Sequence, residues 1–106
     1  MTYFAVIRET GPAWDHTRRL REQDAWDQHA EFINAASADG LVLLGGALGA
    51  GDSFLLMLDA GSEAEIRRRL NDDPWTEMGL LRIRSIERWQ QLTGPDLIKA
   101  AASTLT

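Results

Sequence analysis

Gln23-Asp24-Ala25-Trp26-Asp27-Gln28-His29-Ala30-Glu31-Phe32-Ile33-Asn34-Ala35-Ala36-Ser37-Ala38-Asp39-Gly40-Leu41-Val42-Leu43-Leu44-Gly45-Gly46 reads as a capped helix, a glycine stop and a strand in one run. Asp24 is a good N-cap, and Gly40 suits the left-handed position just past a helix end. Helix positions advance by about 100° per residue. On that wheel Trp26, Ile33 and Ala36 share an arc, with Phe32 and Ala30 at its edges, while Asp27, Glu31 and Asn34 lie opposite. His29 falls inside the apolar arc, so the imidazole of this helix is expected to point inward.

Upstream, Tyr3–Glu9 is β-rich and apolar on both parities, the pattern of a strand covered on both faces. Gly11-Pro12 ends it. A long connection then carries Trp14, Asp15, His16, Arg18, Arg19 and Arg21. Connections of this length often serve as binding loops or lids; Trp14 either covers a site or anchors the loop.

Downstream, the short strand Leu41–Leu44 is followed by the glycine-rich run Gly45–Asp52. A phosphate-binding glycine loop must open a helix. Another strand, Ser53–Leu58, follows instead, so the run is expected to hold a bulge and a hairpin turn. Ser62 and Glu65 form a capping box for a second helix reaching Asn71, with Glu63–Arg67 and Glu65–Arg69 as i,i+4 pairs. Its inward stripe is Ile66 and Leu70, and the next position at that spacing is Asp73. Pro74 stops the helix, and Asp73-Pro74-Trp75 suits an N-cap with proline at the first position of a further short turn, ended by Gly79. Leu80–Trp89 is the last strand, with Leu81, Ile83 and Trp89 expected on one face and Leu80 and Ile86 with the arginines on the other.

The order β-α-β-β-α-β is the split βαβ, or ferredoxin-like, pattern of the α+β class. It predicts a four-stranded antiparallel sheet with two helices on one face. The domain is expected over residues 1–93. Residues 94–106 form a tail in which Leu97, Ile98 and Ala101 suit one apolar helical turn. The uncovered sheet face, with Leu80 and Ile86, reads as too apolar to stay wet, which predicts a homodimer.

At 106 residues the chain is long enough for one domain with a real core. Its net charge of −5 argues against a phosphate-backbone binder, so nucleic acid is not an expected partner. No apolar run reaches the roughly 18 residues of a membrane span. The N-terminus carries no signal-peptide pattern, and the expected compartment is the cytoplasm. Without cysteine, neither a disulfide nor a thiolate metal site exists. Two histidines outside any ligand-spaced cluster predict no transition metal.

The topology sets the two helices antiparallel, so the start of the first lies beside the end of the second. His29 and Asp73 are then far apart in sequence and near in space. A carboxylate beside an imidazole fixes its tautomer, the arrangement of a general acid–base pair. Alternatives remain at both positions: a histidine on an apolar helix face is more often packed than catalytic, and an aspartate before proline is more often a cap. The cluster Arg18, Arg19, Arg21 is either a solvated basic turn or an anion clamp.

Three stretches resemble the YCII-related domain family: Leu20–Ala30, Gly40–Gly46, and Asp73-Pro74-Trp75 with Met78–Leu81. The resemblance spans Tyr3–Trp89 and keeps the three in order. It implies a dimeric α/β-barrel, in which two ferredoxin-like sheets face each other, and a histidine–aspartate pair in a pocket, carried over to His29 and Asp73. Fold relatives include muconolactone isomerases, and a dehydrochlorinase of hydroxylated chloroquinols resembles the family. The chain departs from the pattern at Ala47, where many members have proline. The expectation is a small-molecule enzyme of lyase or isomerase type needing no cofactor. Its pocket would be lined by Trp26, Trp75, Gly45 and Gly46, with Arg21 for an acidic or phenolic substrate. The rival expectation is a dimeric ligand-binding or accessory module without turnover.

Overall fold

β1 (Tyr3–Thr10) and β3 (Ser53–Asp59) form the centre of the fold, because their apolar residues alternate in phase. Val6 faces Leu56 and Phe4 faces Leu58 across an antiparallel ladder, and all four are buried. The computed structural model describes residues 2–94, so the proposed apolar turn at Leu97, Ile98 and Ala101 lies outside the described residues. Within them, β2 (Val42–Leu48) and β4 (Leu81–Trp89) pair on the outer sides, giving an antiparallel sheet of order β2-β3-β1-β4. With α1 (Trp26–Ala38) and α2 (Glu63–Leu70) as its two main helices, this is the ferredoxin-like α+β arrangement. The core lies where Ala36 of α1 and Ile66 and Leu70 of α2 meet the Phe4, Val6, Leu56 and Leu58 face. Among the described residues, no helix is long and apolar enough to cross a membrane.

Several local expectations are corrected. α1 is not capped by the Asp24 side chain. Its N-cap is Ala25, held in the left-handed conformation at φ 58° and ψ 31°. The Asp24 carbonyl instead accepts from the Trp75 indole N–H at 2.6 Å, and the Asp24 carboxylate pairs with Arg18. At the other end Gly40 does take positive φ, and Asp39 accepts from the Leu41 amide. Asp39 also pairs with Arg69, which draws Arg69 away from the expected Glu65 partner. Glu65 accepts from the Gly61 amide instead, while Ser62 caps α2 as expected and the Glu63–Arg67 pair forms.

β2 does not stop at Leu44. It runs through Gly45 and Gly46 to Leu48, and the turn falls at Gly49–Asp52, closed by the Gly51 amide on the Leu48 carbonyl. The register shift of β2 lies between Val42 and Leu44, upstream of the glycine-rich run in which the sequence places the bulge.

The faces of β4 are also corrected. Ile7 pairs with Ser85 and Arg8 with Ile83, so Arg84 is an inserted residue. One extra residue inverts the alternation. Ile86 therefore joins Ile83 against the helix-side core, and Leu80, just before the strand, is buried in a second cluster with Trp75 and Leu81. The open face is apolar through other residues: Ala5 and Ile7 of β1, Leu55 and Met57 of β3, and Leu44, which is 54% exposed.

Candidate active site

Three elements each deliver one polar side chain to the same buried point. Period-two alternation in β1 puts Arg8 on the same face as Phe4 and Val6, beneath the helices. The first turn of α1 turns His29 inward, where it is buried with Ala36. Asp73 is the N-cap of α3 (Pro74–Glu77), with Pro74 fixing the first helical position and the Asp73 carboxylate accepting from the Trp75 amide at 3.0 Å.

His29 Nδ1 lies 3.0 and 2.9 Å from the two Asp73 oxygens, and Arg8 Nη1 donates to Asp73 Oδ2 at 2.8 Å. The carboxylate is fully buried and both of its oxygens are engaged. Burial pushes its pKa up. The hydrogen bonds from His29 and Arg8, with the Trp75 amide, outweigh that and hold it below the usual carboxylate value. An ionised Asp73 makes Nδ1 the protonated nitrogen of a neutral imidazole, which directs the lone pair to Nε2. Among the described residues Nε2 has no hydrogen-bond partner.

The imidazole is also held from its face. It stacks on the Trp75 indole with ring centroids 3.8 Å apart and planes within 5°. Trp75 is itself fixed by its bond to the Asp24 carbonyl and by edge contact with Trp14 at 5.6 Å. Trp26 lies 5.8 Å from both the His29 and the Trp75 rings.

A cavity of about 530 Å³ opens on this group, a size that suits a small molecule. Trp26, His29, Gly45, Gly46 and Trp75 line it; Asp73 stands behind His29 and does not. Gly45 keeps the wall thin, since a Cβ there would meet Leu56 Cδ2 at 2.9 Å. Arg21 is placed differently: it is exposed, with its guanidinium 5.8 Å from the Trp26 ring centroid, and is not in the lining. Leu20, from a single 3₁₀ turn (Leu20–Glu22), does reach the lining.

The connection carrying that turn is tied down at both ends. Its start is held by the Gly11 amide on the Leu80 carbonyl and the Ala13 amide on the Gly79 carbonyl, and its end by Trp75 on Asp24. Inside it the buried Gln23 side chain bonds to Asp15 and Arg18 backbone groups. Trp14 therefore packs against Trp75 and Phe54 beside the cavity.

Arg8 is the site residue the sequence reading missed. As a charge near the end of a strand it looks solvated. The available signal was its shared parity with Phe4 and Val6.

No family model matches the chain, and no curated protein matches it. Among solved structures it is similar to the 5-chloro-2-hydroxyhydroquinone dehydrochlorinase of Burkholderia phenoliruptrix AC1100, determined in complex with 2,5-dihydroxybenzoquinone. The two are 25% identical with a TM-score of 0.64, over 84% of this chain and 94% of that one. The likeness agrees with a protomer fold of the dimeric α/β-barrel type and with that of a small-molecule enzyme.

Proposed function

We propose that this chain is an acid–base enzyme of the YCII-related type, a lyase or isomerase acting without a cofactor on a small phenolic, lactone or quinone-type substrate. The observation that carries this is the state of His29: Nδ1 is committed to a buried carboxylate, while Nε2, on a histidine that lines the cavity, has no partner among the described residues. A base must offer a lone pair to the substrate, and Asp73 provides for that by fixing the tautomer and stabilising the imidazolium that forms. Nε2 takes a proton from a substrate hydroxyl or from a carbon next to a carbonyl. In an isomerisation the imidazolium returns it to another atom; in an elimination the leaving group departs and the proton passes to solvent. Trp26 offers an aromatic face to a planar ring, and the thin Gly45–Gly46 wall lets its edge approach the backbone. The substrate class is supported by the dehydrochlorinase likeness and its quinone ligand.

The open sheet face supports a homodimer in which a second copy covers Ala5, Ile7, Leu44, Leu55 and Met57.

The test is to incubate the protein with chlorinated hydroxyhydroquinones, catechols and lactones and to separate the products chromatographically. Turnover is expected, and His29→Ala should lower it by about 10²–10⁴-fold. Turnover indifferent to His29→Ala would overturn the mechanism. Binding without any product would favour the accessory-module alternative.

A further inference from the structure

We propose that Arg8 is the anion-recognition residue of this cavity. A substrate oxygen that is negatively charged, or becomes so as His29 removes a proton, would bind the free donors of its guanidinium. The inference rests on the acid–base reading only for placing that oxygen beside His29.

Arg8 is 3% exposed, yet among the described residues it makes a single side-chain hydrogen bond, Nη1 to Asp73. Its Nε is buried with no partner. A guanidinium carries several more N–H donors than one contact uses, and buried donors are ordinarily satisfied. Here the side chain reaches the cavity lining with donors to spare.

The rest of the lining sharpens this. The whole chain is acidic, with 16 Asp and Glu against 11 Lys and Arg. Even so, no acidic residue among the described residues lines the cavity. Its charged or titratable lining groups are Arg8 and His29, and the other polar side chains are Asn34 and Ser37. Asp73, the nearest carboxylate, has both oxygens occupied and sits behind His29. An incoming anion therefore meets N–H donors in an apolar, partly desolvated setting, where a charge-assisted hydrogen bond is strongest. A neutral oxygen at the same place gains only an ordinary one. This makes the cavity selective for carboxylates, phenolates and enolates over their neutral counterparts, and it places a fixed positive group where negative charge develops during proton removal.

Calorimetric titration of the full chain at neutral pH tests this with two probes. One is 2,5-dihydroxybenzoquinone, whose ring hydroxyls are vinylogous acids and ionised; the other is its neutral dimethyl ether. The wild type should bind the anion at least about tenfold more tightly than the ether. Arg8→Gln should abolish that preference while leaving affinity for the ether within about twofold. Arg8→Lys keeps a cation for Asp73 but loses the fork of donors, so it should fold even where the glutamine variant does not and should lower anion affinity about fivefold. Circular dichroism melts establish which variants are folded. A folded variant that keeps the full wild-type preference overturns the proposal, as does a wild type that shows no preference for the anion, binding of neither probe included. Anion binding that depends on Arg8 without any His29-dependent turnover would leave this inference standing and remove the enzymatic reading instead. Turnover that depends on His29 with anion binding unaffected by Arg8 would do the reverse.

Discussion

Asp73 carries the sharpest residue-scale consequence. Its carboxyl pKa is lowered in the folded chain, so its ionisation stabilises the fold above the unfolded value of about 3.9. That stabilisation is lost as pH falls through the folded value. Asp73→Asn leaves Arg8 buried without its counter-ion and should cost about 3–5 kcal/mol at neutral pH. The gap between wild type and variant should begin to shrink below about pH 4, where Asp73 of the unfolded chain takes up its proton first, and go on shrinking as pH falls through the lower folded value. Urea melts of both proteins across that range measure it, and a gap independent of pH would contradict the charge assignment. The tryptophans divide in a similar way. Trp75 is fully buried beneath His29, so Trp75→Ala should cost about 3–5 kcal/mol. Trp26 is half-buried against the cavity, and Trp26→Ala should cost only about 1–2 kcal/mol while weakening ligand binding. Equal losses in denaturant melts would mean that Trp26 is core rather than wall.

At the scale of elements, the entry to α1 is the strained point. Alanine in the left-handed region costs roughly 1–2 kcal/mol, and glycine there costs almost nothing sterically. Ala25→Gly should therefore leave the melting temperature unchanged or raise it, by up to about 1 kcal/mol in stability, while β-branched Ala25→Val should lower it by about 1–2 kcal/mol. A Gly variant less stable than wild type would show that the strain is relieved in some other way. This is also where sequence reasoning reached its limit. The order of strands and helices was legible because periodicity changes at glycines and caps: Gly40, Ser62, Pro74 and Gly79 each mark a boundary. The nearness of His29 and Asp73 was legible in helix spacing and antiparallel packing, while their reading as a pair, against a packed histidine and a capping aspartate, leaned on the family resemblance. What stayed hidden depends on long-range partners. Asp24 has the right chemistry for a cap, but an indole 51 residues away claims its carbonyl. The inserted Arg84 leaves no mark in Leu-Arg-Ile-Arg-Ser-Ile, which fits either phase of alternation until the pairing with β1 fixes it. Arg8 reads as a surface charge unless its parity is followed inward.

For the whole molecule, the uncovered sheet face is the main consequence. Ala5, Ile7, Leu44, Leu55 and Met57 form one apolar surface on the side away from the helices. The protein should therefore run as a dimer in light scattering at micromolar concentration, and Leu44→Asp or Met57→Asp should yield a folded monomer. A wild-type monomer would end the barrel assembly. One further consequence lies in how the 11–25 connection is moored. Gly11 and Ala13 bond to Leu80 and Gly79, and Asp24 bonds to Trp75, so both ends fasten to the short stretch that begins beside Asp73. At the Gly11 crossing a Cβ would lie 2.2 Å from the Gly79 carbonyl oxygen, so the mooring also depends on the bare backbone there. In hydrogen exchange the connection and the Asp73 cap are therefore expected to open together, as one unit rather than two. Loosening the connection should therefore also loosen the turn whose carboxylate holds His29 Nδ1, so Leu20 at the cavity and the orientation of His29 are tied to the same few backbone contacts.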